Sequence, residues 1–399
     1  MMSPVMAPAV SQRTLQVMEL LTPLYRFITA SQYARRAGDP AVCDFAFGNP
    51  HEPPLAGITA AFQQWSAPQT NNWFAYPENL TPARQVVAAA LQERRALPFE
   101  PEDIFLTNGA FAALGVSLSA ILDPGDEVIF ISPPWFFYEA YITHYGGTPV
   151  RVKVDPTTFD LDLDAIAAAI TPRTRAIIVN SPNNPTGKIY PATTLTQLAA
   201  LLTDASQRNR RTIYLLSDEA YSRIIFDQRP YPSPVTFYPY SLLLYTYGKT
   251  LLMPGERLGY IALPPTMPNR EELRLALFLG QTLTGYAFPN SLLQHALADL
   301  EQLSIDIDHL QRKRDWMTAA LQEMGYAVHR PEGAFYLLVR SPWQDDGAFT
   351  DLLADHEILC LPGAVVEQPG YFRLSLTASN AMIERSLPGF AAALRQARP

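Results

Sequence analysis

Cysteine is nearly absent. The two in the chain, Cys43 and Cys360, lie far apart, with no Cys-x-x-Cys spacing and no neighbouring histidine ligands. That argues against a disulfide framework and against a zinc site, and it fits a reducing cytoplasm. An excess of positive charge is also missing. Thirty Lys and Arg against 38 Asp and Glu leave a net charge of -8, the wrong sign for a nucleic-acid surface. The one dense basic run, Arg312-Lys313-Arg314, reads as the solvated face of a helix. No uncharged apolar stretch approaches the ~18 residues of a membrane span, so no membrane partner is expected. The opening "MMSPVMAPAVSQR" lacks a basic start followed by a solid apolar run, so it is not expected to be an export signal. No Gly-x-Gly-x-x-Gly occurs, which removes the dinucleotide fingerprint.

What the chain does have is apolar material: 48% hydrophobic against 17% charged residues over 399 positions. This is enough for a sizeable core and suits two domains. Its 36 prolines are dispersed and read as turns and strand ends. Residues 13–37 carry apolar positions at helical spacing, and 81–96 read as a helix with Thr81 as cap and Pro82 in its first turn. From "DIFLTNG" (103–109) onward, short apolar strands alternate with helices: "DEVIFISPP", "WFFYEAYITHYG", "RAIIVNSP", "TIYLLSDEAY", "SLLLYTYG". Such alternation predicts an α/β fold with a mostly parallel sheet covered by helices, whose ligand sits at the carboxyl ends of the strands. After residue 291 a helical stretch, the strands "GAFYLLVR", "ILCLPG" and "YFRLSLT", and a closing helix form a smaller α+β layer. The expected division is an arm and part of the small domain in 1–50, a large domain in 51–290 and the rest of the small domain in 291–399.

The segment "TYGKT" (246–250) poses the functional question. Gly248-Lys249-Thr250 could end a phosphate loop, but Gly-x-x-x-x-Gly-Lys-[Ser/Thr] needs a glycine where Leu243 stands. Lys249 needs another explanation, and its company supplies one. Arg257 follows eight residues later, and Asp218 ends an earlier strand in "LLSDEAY". An imine-forming amine, a guanidinium suited to phosphate and a carboxylate together match pyridoxal phosphate, which carries an aldehyde, a phosphate and a pyridine nitrogen.

With these residues in view, the sequence resembles the class I/II aminotransferase family of fold-type I pyridoxal-phosphate enzymes. "NSPNNPTG" (180–187), "SDEAY" (217–221), Lys249 with Arg257, and "FRLSLT" (372–377) stand in that family's order. The likeness runs from about residue 40 to the C-terminus. It implies pyridoxal 5'-phosphate as cofactor, an amino acid and a 2-oxo acid as substrates, and a homodimer with shared sites.

By resemblance, Lys249 holds the cofactor and then serves as the base at the substrate Cα. Asp218 pairs with the protonated pyridine nitrogen; two unit charges ~4 Å apart are worth roughly 4 kcal/mol at an effective dielectric near 20. Tyr221 and Asn184 share the ring hydroxyl oxygen. Arg257 clamps the phosphate, joined by the amides of Ala110 and Phe111 at a helix start and by the Thr246 hydroxyl. Tyr76 reaches the phosphate of the neighbouring subunit. Trp135, in "SPPWFFY", stacks on the pyridine face. Arg373 binds the substrate α-carboxylate, approached also by the Gly48 amide. Each residue has a plainer reading: a turn for "NNPTG", a helix cap for Asp218, core packing for Tyr76 and Trp135, a structural strand arginine for Arg373.

The pattern also departs from the family. Gly248 stands where many members carry Ser or Ala. "GQTLTGYAFPN" (280–290) holds no arginine, and Ala287 stands at the cross-subunit serine position, which weakens a strictly dicarboxylic substrate. "VVEQPGYF" lacks the usual small-residue loop, and "NPHEPP" replaces the commoner Asp-Phe opening. The expected activity is transfer of an amino group from an L-amino acid to a 2-oxo acid. The alternative is a lyase, cyclase or oxidase of an amino acid on the same scaffold. A ligand sensor is disfavoured, since no basic helix-turn-helix precedes the matched region.

Overall fold

The computed structural model describes residues 9–76 and 78–397. A two-residue strand, β1 (Cys43–Asp44), comes first. Seven strands then build the central sheet: β2 (Ile104–Thr107), β3 (Glu127–Ser132), β4 (Thr148–Lys153), β5 (Thr174–Asn180), β6 (Tyr214–Asp218), β7 (Ser241–Thr246) and β8 (Gly259–Ala262). Their order is β2-β8-β7-β6-β5-β3-β4. All pairs are parallel except those made by β8, which is antiparallel to both neighbours.

Side chains alternate between the sheet's faces with period two, and β3 and β5 spend both faces on burial. Val128, Phe130, Ala176 and Ile178 enter one core with the helix Gly109–Ile121. Ile129, Ile131, Ile177 and Val179 enter another with the helix Ala192–Asn209. Near-continuous β-branched runs are what a doubly covered parallel sheet requires.

The second layer contains β9 (Val328–His329), β10 (Tyr336–Arg340), β11 (Ile358–Leu359), β12 (Leu361–Pro362) and β13 (Tyr371–Ser375). Four of these form an antiparallel sheet in the order β12-β13-β10-β9, while β11 pairs in parallel with β1. Cys43 and Phe45, from early in the chain, share one core with Phe335, Phe372 and Phe390 from its end. Among the described residues no helix is long and apolar enough to cross a membrane.

Four local expectations need correction. Thr81 does not cap its helix: Leu80 occupies that place, without a side-chain bond, and the left-handed Ala96 closes the other end. The helix expected from Trp135 begins at Tyr138, because 135–137 turn toward the sheet's carboxyl edge. "ILCLPG" is not one strand; Cys360 separates β11 from β12, which belong to different sheets. Lys313 and Arg314 are not solvated. Both are buried on the helix Ile307–Met324, the first bonded to Glu52 (2.7 Å) and the Ala378 carbonyl (2.8 Å), the second to Asp227 (2.7 Å).

Candidate active site

The parallel register brings the carboxyl ends of β5, β6 and β7 side by side: Asn180 pairs with Asp218, and Asp218 with Leu244. Below these ends lies a cavity of about 660 Å³. Eleven of the twelve residues singled out in the sequence line it: Gly48, Ala110, Phe111, Trp135, Asn184, Asp218, Tyr221, Thr246, Lys249, Arg257 and Arg373. Tyr76 does not. It stands fully exposed in a loop on the outer surface.

Lys249 sits on a single helical turn, Tyr247–Thr250, that follows β7 directly. The Thr246 hydroxyl caps this turn by accepting from the Gly248 amide at 3.3 Å. The Lys249 amine lies 5.8 Å from the ring centre of Tyr221 and 5.7 Å from that of Phe335, a partly buried cation over aromatic faces.

Asp218 ends β6. Tyr138 donates its hydroxyl to Oδ2 at 2.5 Å and the Ala220 amide donates to Oδ1 at 3.1 Å. Asn180 donates to the Asp218 carbonyl at 3.0 Å and accepts the Asn184 amide at 2.7 Å. Burial raises the Asp218 pKa above the usual carboxylate value, outweighing the bonds from Tyr138 and Ala220 and the charge of Lys249.

Arg257 precedes β8 and, among the described residues, has only the Pro254 carbonyl for a hydrogen-bond partner, at 2.6 Å. Burial lowers its pKa, and no carboxylate opposes that shift. Around it the backbone opens a cradle. Gly109 has φ +78, and a β-carbon there would lie 2.8 Å from Arg257 Nη2 and 3.3 Å from Thr246 Oγ1. The helix Gly109–Ile121 starts at this point with no side-chain cap on its free amides. A helix N-terminus, a hydroxyl and an unpaired guanidinium converging on space too small for a methyl-bearing residue are a donor set for a phosphate.

Arg373, in the middle of β13, is 1% exposed. Its two terminal nitrogens donate to Asn184 Oδ1 (2.8 Å) and the Ala46 carbonyl (2.9 Å), while Nε has no partner among the described residues. Burial lowers its pKa, with Tyr336 and Tyr221 opposing. Arginine can only donate, so Asn184 must turn its oxygen toward Arg373, which leaves its own amide hydrogens for the cavity. The guanidinium stacks 4.0 Å from the Tyr336 ring centre. A β-carbon at Gly48 would meet the Tyr336 hydroxyl at 2.8 Å, so the backbone of that loop lies close against this corner. A buried guanidinium with no carboxylate partner among the described residues can bind an anion such as a carboxylate.

Three contributors went unnamed in the sequence reading. Tyr138 orients Asp218, Asn180 links the β5 and β6 ends, and Tyr336 connects the two substrate-facing groups, 3.4 Å from the Tyr221 hydroxyl. Burial would raise the Tyr336 phenol, but Lys249, Arg373 and the Tyr221 bond outweigh it and bring it below the usual value. Asn180 lay in a quoted motif, and Tyr138 sits three residues after Trp135. For Tyr336, "GAFYLLVR" reads only as a strand.

Fold and site together define an α/β protein whose cavity gathers a lysine amine, one arginine beside a helix start and another on the smaller sheet, neither arginine bonded to a carboxylate among the described residues. Over residues 40–388 the chain matches the family described as "Aminotransferase class I and II", and it belongs to that family. It is similar to a probable aspartate/prephenate aminotransferase of Thermus aquaticus, 32% identical with 81% of this chain and 84% of that protein covered. To the aspartate/prephenate aminotransferase of Thermus thermophilus it is 31% identical, with 81% and 84% covered. The crystal structure of an amino transferase from Eubacterium rectale superposes with TM-score 0.88 at 27% identity, covering 98% of this chain and all of that one. The protein is therefore an aminotransferase, moving an amino group from an amino acid to a 2-oxo acid.

Proposed function

We propose that this cavity holds pyridoxal 5'-phosphate and that the residues named above divide the work of transamination. The observation that carries this reading is the pair of arginines, Arg257 and Arg373, each partly or wholly buried without a carboxylate and sharing one cavity with Lys249 and Asp218. Two such cations suit two separate anions, one a phosphate and the other an α-carboxylate.

Arg257, Thr246 and the amides of Ala110 and Phe111 would hold the phosphate. Asp218 would hold a proton on the ring nitrogen, since its buried carboxylate has neighbours that donate hydrogen bonds but no arginine or lysine bonded to it. Tyr221 and Asn184 would hold the ring oxygen, and Trp135 would cover one face. When bound, the cofactor supplies an aldehyde and an electron-accepting ring. Lys249 supplies the amine that anchors it and, once free, takes a proton from the substrate Cα and returns it on the other side of the transfer. Arg373 and the Gly48 amide fix the α-carboxylate, so that the Cα–H bond points at Lys249.

The same reading places Tyr76 at the site of a second subunit, so the working unit would be a homodimer; the two free cysteines, Cys43 and Cys360, fit a reducing cytoplasm. A lyase, cyclase or oxidase would share the binding residues and differ in which Cα bond breaks.

Lys249→Ala tests the assignment. The parent protein should take up the vitamin aldehyde with a visible absorbance band and gain the cofactor's mass after borohydride reduction. The variant should bind it reversibly, gain no mass and lose at least about a thousandfold in transfer rate. Normal turnover by the variant would remove Lys249 from the chemistry. Turnover of an amino acid that needs no 2-oxo acid acceptor and passes no amino group to one would favour the other reactions.

A further inference from the structure

We infer that the amino donor carries a large apolar or aromatic side chain without a second carboxylate. This rests on the aminotransferase reading and deepens it.

Three cations line the cavity, Lys249, Arg257 and Arg373, and all are committed by the site's own chemistry: the amine, the phosphate and the α-carboxylate. The rest of the lining includes no other Lys or Arg and no His. A distal carboxylate would enter without a partner, and an unpaired buried charge is strongly disfavoured.

Much of the wall that remains is aromatic: Phe47, Phe111, Phe136, Phe137, Tyr141 and Tyr286 line it, beside Trp135, one face of which the cofactor would take, and beside Asn49 and Asn108. Phe111 meets Trp135 edge-on at 4.6 Å and Phe137 at 5.4 Å, and Trp135 lies 5.1 Å from Phe137. Tyr141 closes the group 6.2 Å from Phe111. Phe111 is 39% exposed, so its ring keeps open surface rather than spending it on the core. Open edges and faces at these spacings are what another ring or a branched aliphatic chain packs against.

A separate, smaller cavity of about 240 Å³ shares Trp135 and Phe136 with this wall and is lined also by Leu20, Leu21 and Leu24. Its one cation, Arg151, is bonded to both Glu139 and Glu367. One positive and two negative groups leave this neighbouring cavity with an excess of negative charge, so it offers no spare cation to a distal carboxylate. A neighbouring subunit would add no cation from 66–80, the segment around Tyr76, or from 280–290, since neither contains Lys or Arg.

Two measurements on the cofactor-loaded enzyme test this. Single-turnover conversion, followed by loss of the cofactor's absorbance band, should rank phenylalanine, tyrosine, leucine and methionine above aspartate and glutamate by at least about a hundredfold in kcat/KM. Calorimetry with unreactive acids should show 3-phenylpropionate binding at least about tenfold more tightly than succinate. Phe111→Ala should lower the phenylalanine-to-alanine preference about tenfold. If that variant fails to fold, the two acids on the parent protein still decide. Aspartate turning over as fast as phenylalanine, or succinate binding as tightly as 3-phenylpropionate, overturns the inference. Should no amino acid convert the bound cofactor, the transferase reading falls, while the ranking of the two acids still judges the pocket.

Discussion

Asp218 shows at the scale of one residue how the site is built at a cost to the empty protein. The fold gives its carboxylate a tyrosine hydroxyl and a backbone amide, but burial still raises its pKa. For an acid whose folded pKa exceeds its unfolded one, the folded state holds more protons between the two values. Stability therefore falls as pH rises through that window and stays lower above it. Without cofactor, Asp218→Asn should melt about 2 °C or more above the parent at pH 7, since asparagine can still accept from Tyr138. The gain should vanish as pH drops toward the ordinary carboxylate value near ~3.9. Transfer activity should fall at least about a hundredfold in the same variant. An equal melting point at pH 7 in cofactor-free protein would show that the neighbours fully compensate the charge. At this scale the sequence was most legible where a residue's chemistry is unusual for its setting: a lysine at a strand end, a carboxylate ending an apolar strand, an arginine inside one. Tyr138 and Tyr336 were not legible, because an aromatic in an apolar run looks the same whether it packs or orients a neighbour.

At the scale of elements, the alternation of strands and helices predicted the parallel sheet, and the carboxyl edge carries the site because each βα turn must emerge there. What escaped was any element whose state depends on distant partners. The helix Ile307–Met324 shows why. Its Arg312-Lys313-Arg314 run looks like a solvent face, but Arg314 is fully buried, bonds Asp227 through two nitrogens at 2.9 and 2.7 Å, and lies 4.6 Å from the Phe226 ring centre. Asp227 is 87 residues away in sequence, so no local pattern announces it. The contact pins this helix to the loop after β6 and holds the Asp227 pKa below the usual value, chiefly through the Arg314 bond. Arg314→Ala should cost about 3 kcal/mol, read as a shift in the urea midpoint with little change in slope. A depressed carboxylate pKa contributes stability that is present above its unfolded value and lost as pH falls through the folded one. The parent should accordingly lose its advantage over Arg314→Ala in acid. A loss below about 0.5 kcal/mol at neutral pH would return the run to the status of a surface feature.

For the whole molecule the remaining question is what covers the helix Arg270–Leu283. Leu273 and Leu277 face inward, but Leu275, Leu279 and Leu283 are 61%, 46% and 80% exposed along the other side. The loop bearing Phe74 and Tyr76, both exposed, is tied to this helix by Asn79 donating to Gln281 at 2.9 Å. A leucine row of this kind beside two exposed aromatics is a contiguous apolar patch of the sort that interaction surfaces carry. Under the proposed homodimer a second copy of the chain would cover it, since an isologous contact sets the same patch against itself and would carry each Tyr76 toward the other subunit. Sedimentation should give twice 44.4 kDa. Leu279→Glu should shift the protein toward monomer and remove activity with it, by placing charge in the centre of the contact. The sharper experiment mixes two weak proteins, Tyr76→Ala and Lys249→Ala. If Tyr76 serves the neighbour's phosphate, a mixed dimer holds one site with both residues intact, and activity should rise above the sum of the two preparations. Should confirmed mixed dimers show only that sum, Tyr76 would act within its own subunit or not at all, and the exposed row would need another occupant.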